Sequence, residues 1–511
     1  MLELVKQAKI GTIVPVYKEL DNEIDALEYF AKLSNYGNKK NSILMQNNEK
    51  SFGSASPCLI LTGKGIDFEI APLNNLGKKF INLIKKDFKF CDKAIFSKGK
   101  IIGKLASINK SVSEDEKFKL KTHLDIIRTI AFKFKPTTKP FSPYCGLFGM
   151  ISDNFINQSE DASDKDPDYI FYFVDNMFLV DHKTKKTYFV ANALVIDNQK
   201  EKLYQECSKT IHNYEKLMEK KAPKGKKPKK KELKISYDTE KEEFLGLMSN
   251  LRKYILDGDI LHASPSRTTI TSYNSEPLDI YSQLKVNSPE NVLFYVNDGN
   301  GISISSGATS FLRVSGQEKE VELSIYTNKT DRATTKDEMN NDLDNKYELL
   351  LKVDESGIAY NTMLIDAARN DVVRISETGT RFVSKLFSID KHPTYQFISS
   401  SVKGTLKHDL DALHAYLATM NPVKGTPKTK SMQLLVELEK GNRSFTSAIY
   451  ISPDEELKSM AIEPIRIKKN LAYFGTSSRV FHNSNDENEF KTVNNKEEKL
   501  LDAIRSAGGL K

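Results

Sequence analysis

No stretch of this 511-residue chain approaches the ~18 consecutive apolar residues of a membrane-spanning helix. Even FYFVDNMFLV is broken by Asp175 and Asn176. The opening residues, MLELVKQAKIGTIVPVYKEL, lack the basic region, apolar core and small-residue cleavage site of a secretory signal. A cytoplasmic protein with no membrane span is the expectation. Cysteine is scarce: Cys58, Cys91, Cys145 and Cys207 are widely scattered, and no CxxC pair occurs. In a chain of this size without a signal, buried free thiols are expected ahead of disulfides. The eight histidines include no HxxxH pair, so zinc has little support.

Charge is unevenly spread. The segment KKAPKGKKPKKKELK, Lys220 to Lys234, holds nine lysines and one glutamate, which equals the whole chain's net charge of +8. The basicity is thus one local Pro/Gly/Lys tract, read as a solvated, extended linker. It carries no interleaved aromatic residue to stack on bases, which argues against nucleic acid as a partner. The tract divides the sequence into residues 1–218, a linker at 219–234, and residues 235–511.

Hydrophobic content is 39% and charged content 28%, in the range of a folded globular chain with two lobes or domains at this length. ALEYFAKLSN, KFKLKTHLDIIRTIAFKF and EEFLGLMSNLRKYILDGDI have helical apolar spacing. In the last, Phe244, Leu247, Leu251 and Ile255 share a stripe, and Asp257-Gly258-Asp259 marks the stop. SPCLILTGKGIDFEIAPL reads as two strands about Gly63-Lys64-Gly65. Its GKG opens no helix, so a hairpin is expected and not a phosphate loop. Helices and strands alternate irregularly, which predicts an α+β fold with mainly antiparallel sheet.

Several segments, in order, resemble the chorismate-utilising enzymes, and anthranilate synthase component I above all. They are YILDGDILHASPSRTT, NDLDNKYELLL, MLIDAARNDVVRI, KHDLDALHAYLATMNP, GTPKTKSMQLLVELE and NNKEEKLLDAI, with YFAKLSN, CGLFGMISD and FLVDHKTKKTYF in the first half. The resemblance implies two packed, mainly antiparallel β-sheets with outer helices and a chorismate site at their interface. It also implies a magnesium ion held by glutamates, a histidine assisting loss of the C4 hydroxyl, and ammonia from a glutaminase partner.

The same resemblance places unexpected residues at the functional positions. Two glutamates three apart, which would share one helix face, fall at Gly357 and Tyr360, and a following histidine falls at Asn361. Glu355 stands two residues off that position. Another glutamate falls at Thr309, a Gly-Thr pair at Thr327 and Asn328, the catalytic histidine at Phe397, with His392 too distant to replace it, and a tyrosine at Phe445. The substrate-binding arginine falls at Glu463, with Arg466 three residues on, and two glycines fall near Ser477 and Arg479. Of the last two glutamates, Glu489 remains and Thr492 replaces its partner, whereas Lys496 is retained. A serine of the tryptophan feedback site falls at Gln46, and its PSPYM segment reads SPENV, so feedback by tryptophan is not expected.

Three readings stay open. In the first, the protein is repurposed around a cationic, metal-free pocket for a chorismate-like or other anionic small molecule. Arg479, Arg466, Lys329, Asn328 and Thr309 would bind the ligand, Arg332 would stand nearby, and Tyr360, Glu489 and Lys496 would be the catalytic candidates. In the second, Arg479, Tyr360 and Phe397 fill an unused hole, and the protein acts through a partner such as a glutaminase subunit. The third is anthranilate synthesis with substitute residues. No cofactor is expected, because the family's magnesium ligands are missing; the usual anthranilate synthase chemistry is not expected, and a changed lyase- or transferase-type activity stays open.

Overall fold

A computed structural model describes residues 1–107, 120–138, 144–156, 166–226, 228, 232–287, 292–307, 310–333, 340–392, 395–420, 424–440 and 445–510. Two twelve-stranded sheets dominate it, and every adjacent pair of strands but one runs antiparallel. The exception is the short pairing of Thr12–Leu20 with Lys135–Pro136. Residues from both sides of the lysine tract share each sheet. Ser42–Gln46 pairs with Leu293–Asn297 in one, and Gly146–Ser152 pairs with Phe445–Ile451 in the other.

Between the sheets lies a core that includes Ile43, Phe294 and Val296 from one face and Phe148, Tyr172, Phe445 and Met460 from the other. Helices cover the two outer faces. Tyr29, Phe30, Tyr281 and Leu501 pack on one sheet; Phe80, Ile127, Leu364 and Tyr416 pack on the other. The expected α+β architecture of packed antiparallel sheets with outer helices is therefore the one observed.

Local expectations can be checked against particular elements. Lys241–Leu256 buries Phe244, Leu247 and Leu251 and stops where Gly258 takes φ +82°, a left-handed position suited to glycine. The GKG segment does form a hairpin, but Lys64 pairs with Asp67, so the turn is Gly65-Ile66. Gly63 lies within the strand, where a Cβ would stand 2.2 Å from the Tyr169 ring and only glycine fits unstrained. In the helix Ala412–Thr419, Leu413 is buried and Leu417 packs on the same core, as does Leu410 just before the N-cap Asp411, so core packing accounts for that apolar spacing. Part of the lysine tract lies against the body: Gly225 sits on the Tyr36 ring, 2.5 Å from where its Cβ would be. All four cysteines are free thiols, three of them buried. Among the described residues no helix is long and apolar enough to cross a membrane.

A third, three-stranded sheet is small but decisive for position. It joins Gly425–Thr426, His262–Ala263 and Val480–Phe481, and it holds His262 and Phe481 against the helix Glu355–Ile375.

Candidate functional site

Four elements converge at one centre: the helix Glu355–Ile375, the strand Glu320–Asp331, the segment Ser477–Phe481 and the C-terminal helix Asp486–Ala507. The strand loses register with its neighbour Tyr395–Thr405 between Thr327 and Thr330. Such bulges re-aim a side chain. Here Asn328 takes φ +51° and sends its amide over the start of the helix.

That amide is engaged at both ends. Asn328 Nδ2 donates to Asp354 Oδ2 at 2.5 Å, and Asn328 Oδ1 accepts from Arg479 Nη1 at 2.6 Å. Asp354 occupies the N-cap position of the helix but caps none of its N–H groups with its side chain, because its carboxylate is turned to Asn328. Arg479 in turn donates from Nε to Glu489 Oε1 at 2.9 Å, and Ser478 Oγ reaches Glu489 Oε2 at 3.5 Å. The result is an unbroken relay, Asp354–Asn328–Arg479–Glu489. Gly357 makes room for it: a Cβ at Gly357 would lie 1.5 Å from Asn328 Nδ2.

Beside the relay, Tyr360 is buried. Its ring lies 5.2 Å from the Arg479 guanidinium carbon, 5.4 Å from the Phe481 ring and 5.7 Å from the His262 ring. Burial pushes its phenol up to about 12, outweighing the opposing pull of Arg479 and a hydrogen bond with Ser264. A phenol so placed is protonated at neutral pH and is no base there. Asn361 is also locked, donating to Thr327 Oγ1 at 2.8 Å and accepting from Ser400 Oγ at 2.7 Å.

A second ion pair completes the centre. Lys496 Nζ donates to the Ser477 carbonyl at 2.9 Å and stands 3.9 Å from Glu463 Oε2. Glu463 accepts from the Ser477 N–H at 3.1 Å and from its hydroxyl. Burial opposes ionisation of Glu463, but Lys496, Lys424 and the Ser477 donors outweigh it and hold the carboxyl below its usual range. Successive residues Ser477, Ser478 and Arg479 thus bind Glu463, Glu489 and Asn328.

The structure therefore brings together Tyr360, Asn328, Arg479 and Glu489, with Lys496 joined to them through the segment 477–479. It places the other candidates elsewhere. Arg466 is buried in the inter-sheet core, 2.7 Å from Asp298 Oδ2, bonded to Ser303 Oγ at 3.1 Å and set over the Phe445 ring. Lys329 lies over the Tyr395 ring at 3.3 Å. Arg332 pairs with Asp344 at 2.6 Å. Phe397 stacks edge-on against Tyr326 and lies 5.3 Å from His392. Glu355 and Thr492 are exposed, and Thr309 lies outside the described residues. Gln46 accepts from Tyr281 and donates to Ser51.

Sequence reasoning missed Asp354, His262, Phe481 and Lys424. Only Asp354 left a signal, as an acidic residue immediately before a helix. Among the described residues, no group of three or more histidine, cysteine, aspartate or glutamate side chains is arranged to hold a metal ion.

This fold, two packed and mainly antiparallel sheets with outer helices, is shared with solved anthranilate and isochorismate synthases. Residues 95–502 match the family of chorismate binding enzymes. Anthranilate synthase component 1 of Buchnera aphidicola subsp. Diuraphis noxia is 30% identical over 462 residues, covering 86% of each chain. The corresponding protein of Haemophilus influenzae is 28% identical over 492 residues, covering 91% of this chain and 92% of its own. The solved anthranilate synthase component I of Streptococcus pneumoniae superposes with a TM-score of 0.67 at 20% identity, covering 90% of this chain and 92% of its own. The menaquinone-specific isochorismate synthase of Escherichia coli gives 0.63 at 12% identity over 98% of each. The chain belongs to the chorismate-binding enzyme family, with anthranilate synthase component 1 among its relatives.

Proposed function

We propose that this chain is a non-catalytic, metal-free member of the family, which acts through a protein partner and does not make anthranilate. One observation carries the reading: the centre satisfies its own charges. Arg479 pairs through Nε with Glu489 and through Nη1 with Asn328, and Glu463 lies among Lys496, Lys424 and the Ser477 donors. Neither ion pair leaves a cluster of carboxylates for a hard cation, which needs several oxygen ligands at once.

Magnesium of the family's kind does not fit these residues. The first carboxylate position is Gly357, whose side-chain space the Asn328 amide occupies. The next is Tyr360, whose ring packs on His262 and Phe481. The remaining carboxylate, Glu489, is engaged by a guanidinium. Without a cation on the substrate carboxylate, and with Phe397 offering no proton, departure of an allylic hydroxyl loses its main supports. Removing one such transition-state group commonly costs ~10²–10³ in rate.

The preserved scaffold leaves partner binding as the role. A glutamine amidotransferase-type subunit is the first candidate, because the relatives are named as one component of anthranilate synthase. A second reading, a small anion site, is favoured by the Arg479 side chain, which is 28% exposed and makes no hydrogen bond from Nη2 among the described residues.

The test is to incubate the purified chain with chorismate, magnesium and ammonium and to follow chorismate by liquid chromatography and mass spectrometry. No loss above the uncatalysed background is expected. Protein-dependent loss would overturn the proposal, and the product mass would name the reaction. The second reading predicts that chorismate raises the melting temperature of the wild type but not of Arg479→Ala.

A further inference from the structure

The sheet that carries the strand Glu320–Asp331 ends, at its far side, in the hairpin Lys93–Lys104. Its last strand, Lys93–Ser97, is exposed at all five residues and, among the described residues, pairs on one side only, with Lys100–Lys104. Such an edge presents unpaired backbone groups, a template for another strand. Lys98 and Gly99, at φ +51° and +77°, form the two-residue turn. In a hairpin with a two-residue turn the closing pair, Ser97 and Lys100, is hydrogen-bonded, and the pattern then alternates. The N–H and C=O groups of Ala94 and Phe96 therefore face outward.

Side chains add a second feature. Ile95 and Ile102 stand opposite one another, 46% exposed each, on the face that also carries Lys93, Lys100 and Lys104. Phe96 is 45% exposed with Lys85 Nζ 5.1 Å from its ring. Lys100 and Lys104 are already paired, with Glu69 and Asp67. Lys93 and Lys98 pair with no carboxylate among the described residues, and they bracket the strand. Lysines so placed repel a second copy of this edge, and by the same sign they attract an acidic strand.

We propose that Lys93–Ser97 is a docking edge for an extended, acidic segment of a partner protein, added as a thirteenth strand. Backbone bonds to Ala94 and Phe96 supply the affinity. An apolar residue beside Ile95 and carboxylates beside Lys93 and Lys98 supply the selectivity. The proposal stands apart from the reading of the catalytic centre, since nothing at that centre enters it.

The test uses fluorescence anisotropy with the full chain and a labelled peptide repeating Glu-Ser-Val-Ser, which sets glutamate and valine in turn along one face of a strand. The same peptide with lysine for glutamate is the control. The acidic peptide is expected to bind at least ten-fold more tightly than the basic one. Ala94→Pro removes an outward N–H, and Lys93→Glu/Lys98→Glu reverses the bracket. Each should weaken binding at least ten-fold, with the melting temperature unchanged within a few degrees. Equal binding of both peptides, no binding of either, or an acidic peptide indifferent to these variants would overturn the proposal. So would a wild-type dimer in light scattering that Ala94→Pro converts to monomer, since the edge would then serve a second copy.

Discussion

The side-chain nitrogen of Asn328 lies 1.5 Å from the point that a Cβ on Gly357 would occupy. These two residues are 29 positions apart, and each is suited to the other. Glycine inside a helix normally costs ~0.5–1 kcal/mol relative to alanine, yet here it admits an amide that ties Asp354 to Arg479.

Gly357→Ala should therefore destabilise the protein by ~1–2 kcal/mol, since displacing the held amide outweighs the gain in helix propensity. In an Asn328→Ala background, which also releases the Asp354 carboxylate 2.5 Å from the same point, the sign should reverse, and the same substitution should stabilise by up to ~0.5–1 kcal/mol. Urea unfolding of the four proteins measures this. An unchanged sign would mean that Asn328 does not hold the space.

Removal of Arg479 leaves Glu489, a residue only 8% exposed, without its cation. Because the guanidinium is partly exposed, the expected loss for Arg479→Ala is roughly 1–3 kcal/mol, below that of a fully buried pair. Arg479→Ala/Glu489→Gln should lose less than the two single changes together. Additive losses in denaturant melts would contradict the pairing.

A pH effect should come from Asp175. This one residue carries the chain from the strand Tyr169–Val174 of one sheet to Asn176–Asp181 of the other. Burial pushes its carboxyl up to about 6, although the Asn176 amide at 3.1 Å works in the opposite direction. Between its unfolded value near 4 and about 6, the folded protein holds the extra proton. Its contribution to stability is then greatest below pH ~4 and declines as pH rises through 6. Asp175→Asn should stabilise the protein by about 2–3 kcal/mol at pH 7.5 and change little at pH 4. Equal effects at both pH values would remove Asp175 as the source.

Much of the fold was legible in the sequence because its signals are local. The stripe of Phe244, Leu247 and Leu251, the stop at Gly258 and the hairpin of Leu59–Lys64 with Asp67–Pro72 depend on neighbours a few residues apart. The candidate site was legible in part. Tyr360, Glu489 and Arg479 do meet, and their meeting follows from aligned motifs. Arg466 and Lys329 are positioned by partners that no local pattern reveals. Asp298 reaches Arg466 across the sheet from a turn between two other strands, and Tyr395 lies beneath Lys329 on a neighbouring strand. Asn328 owes its direction to a left-handed residue at a bulge, which depends on sheet register.

The proposed function requires that this centre hold no catalytic divalent cation. Electron paramagnetic resonance of Mn²⁺, added to the protein with and without chorismate, tests it most directly. The account predicts that the free-ion signal is not reduced by a chorismate-dependent site, and that Glu489→Gln changes nothing. One Mn²⁺ bound per chain in the presence of chorismate, and lost in Glu489→Gln, would contradict it.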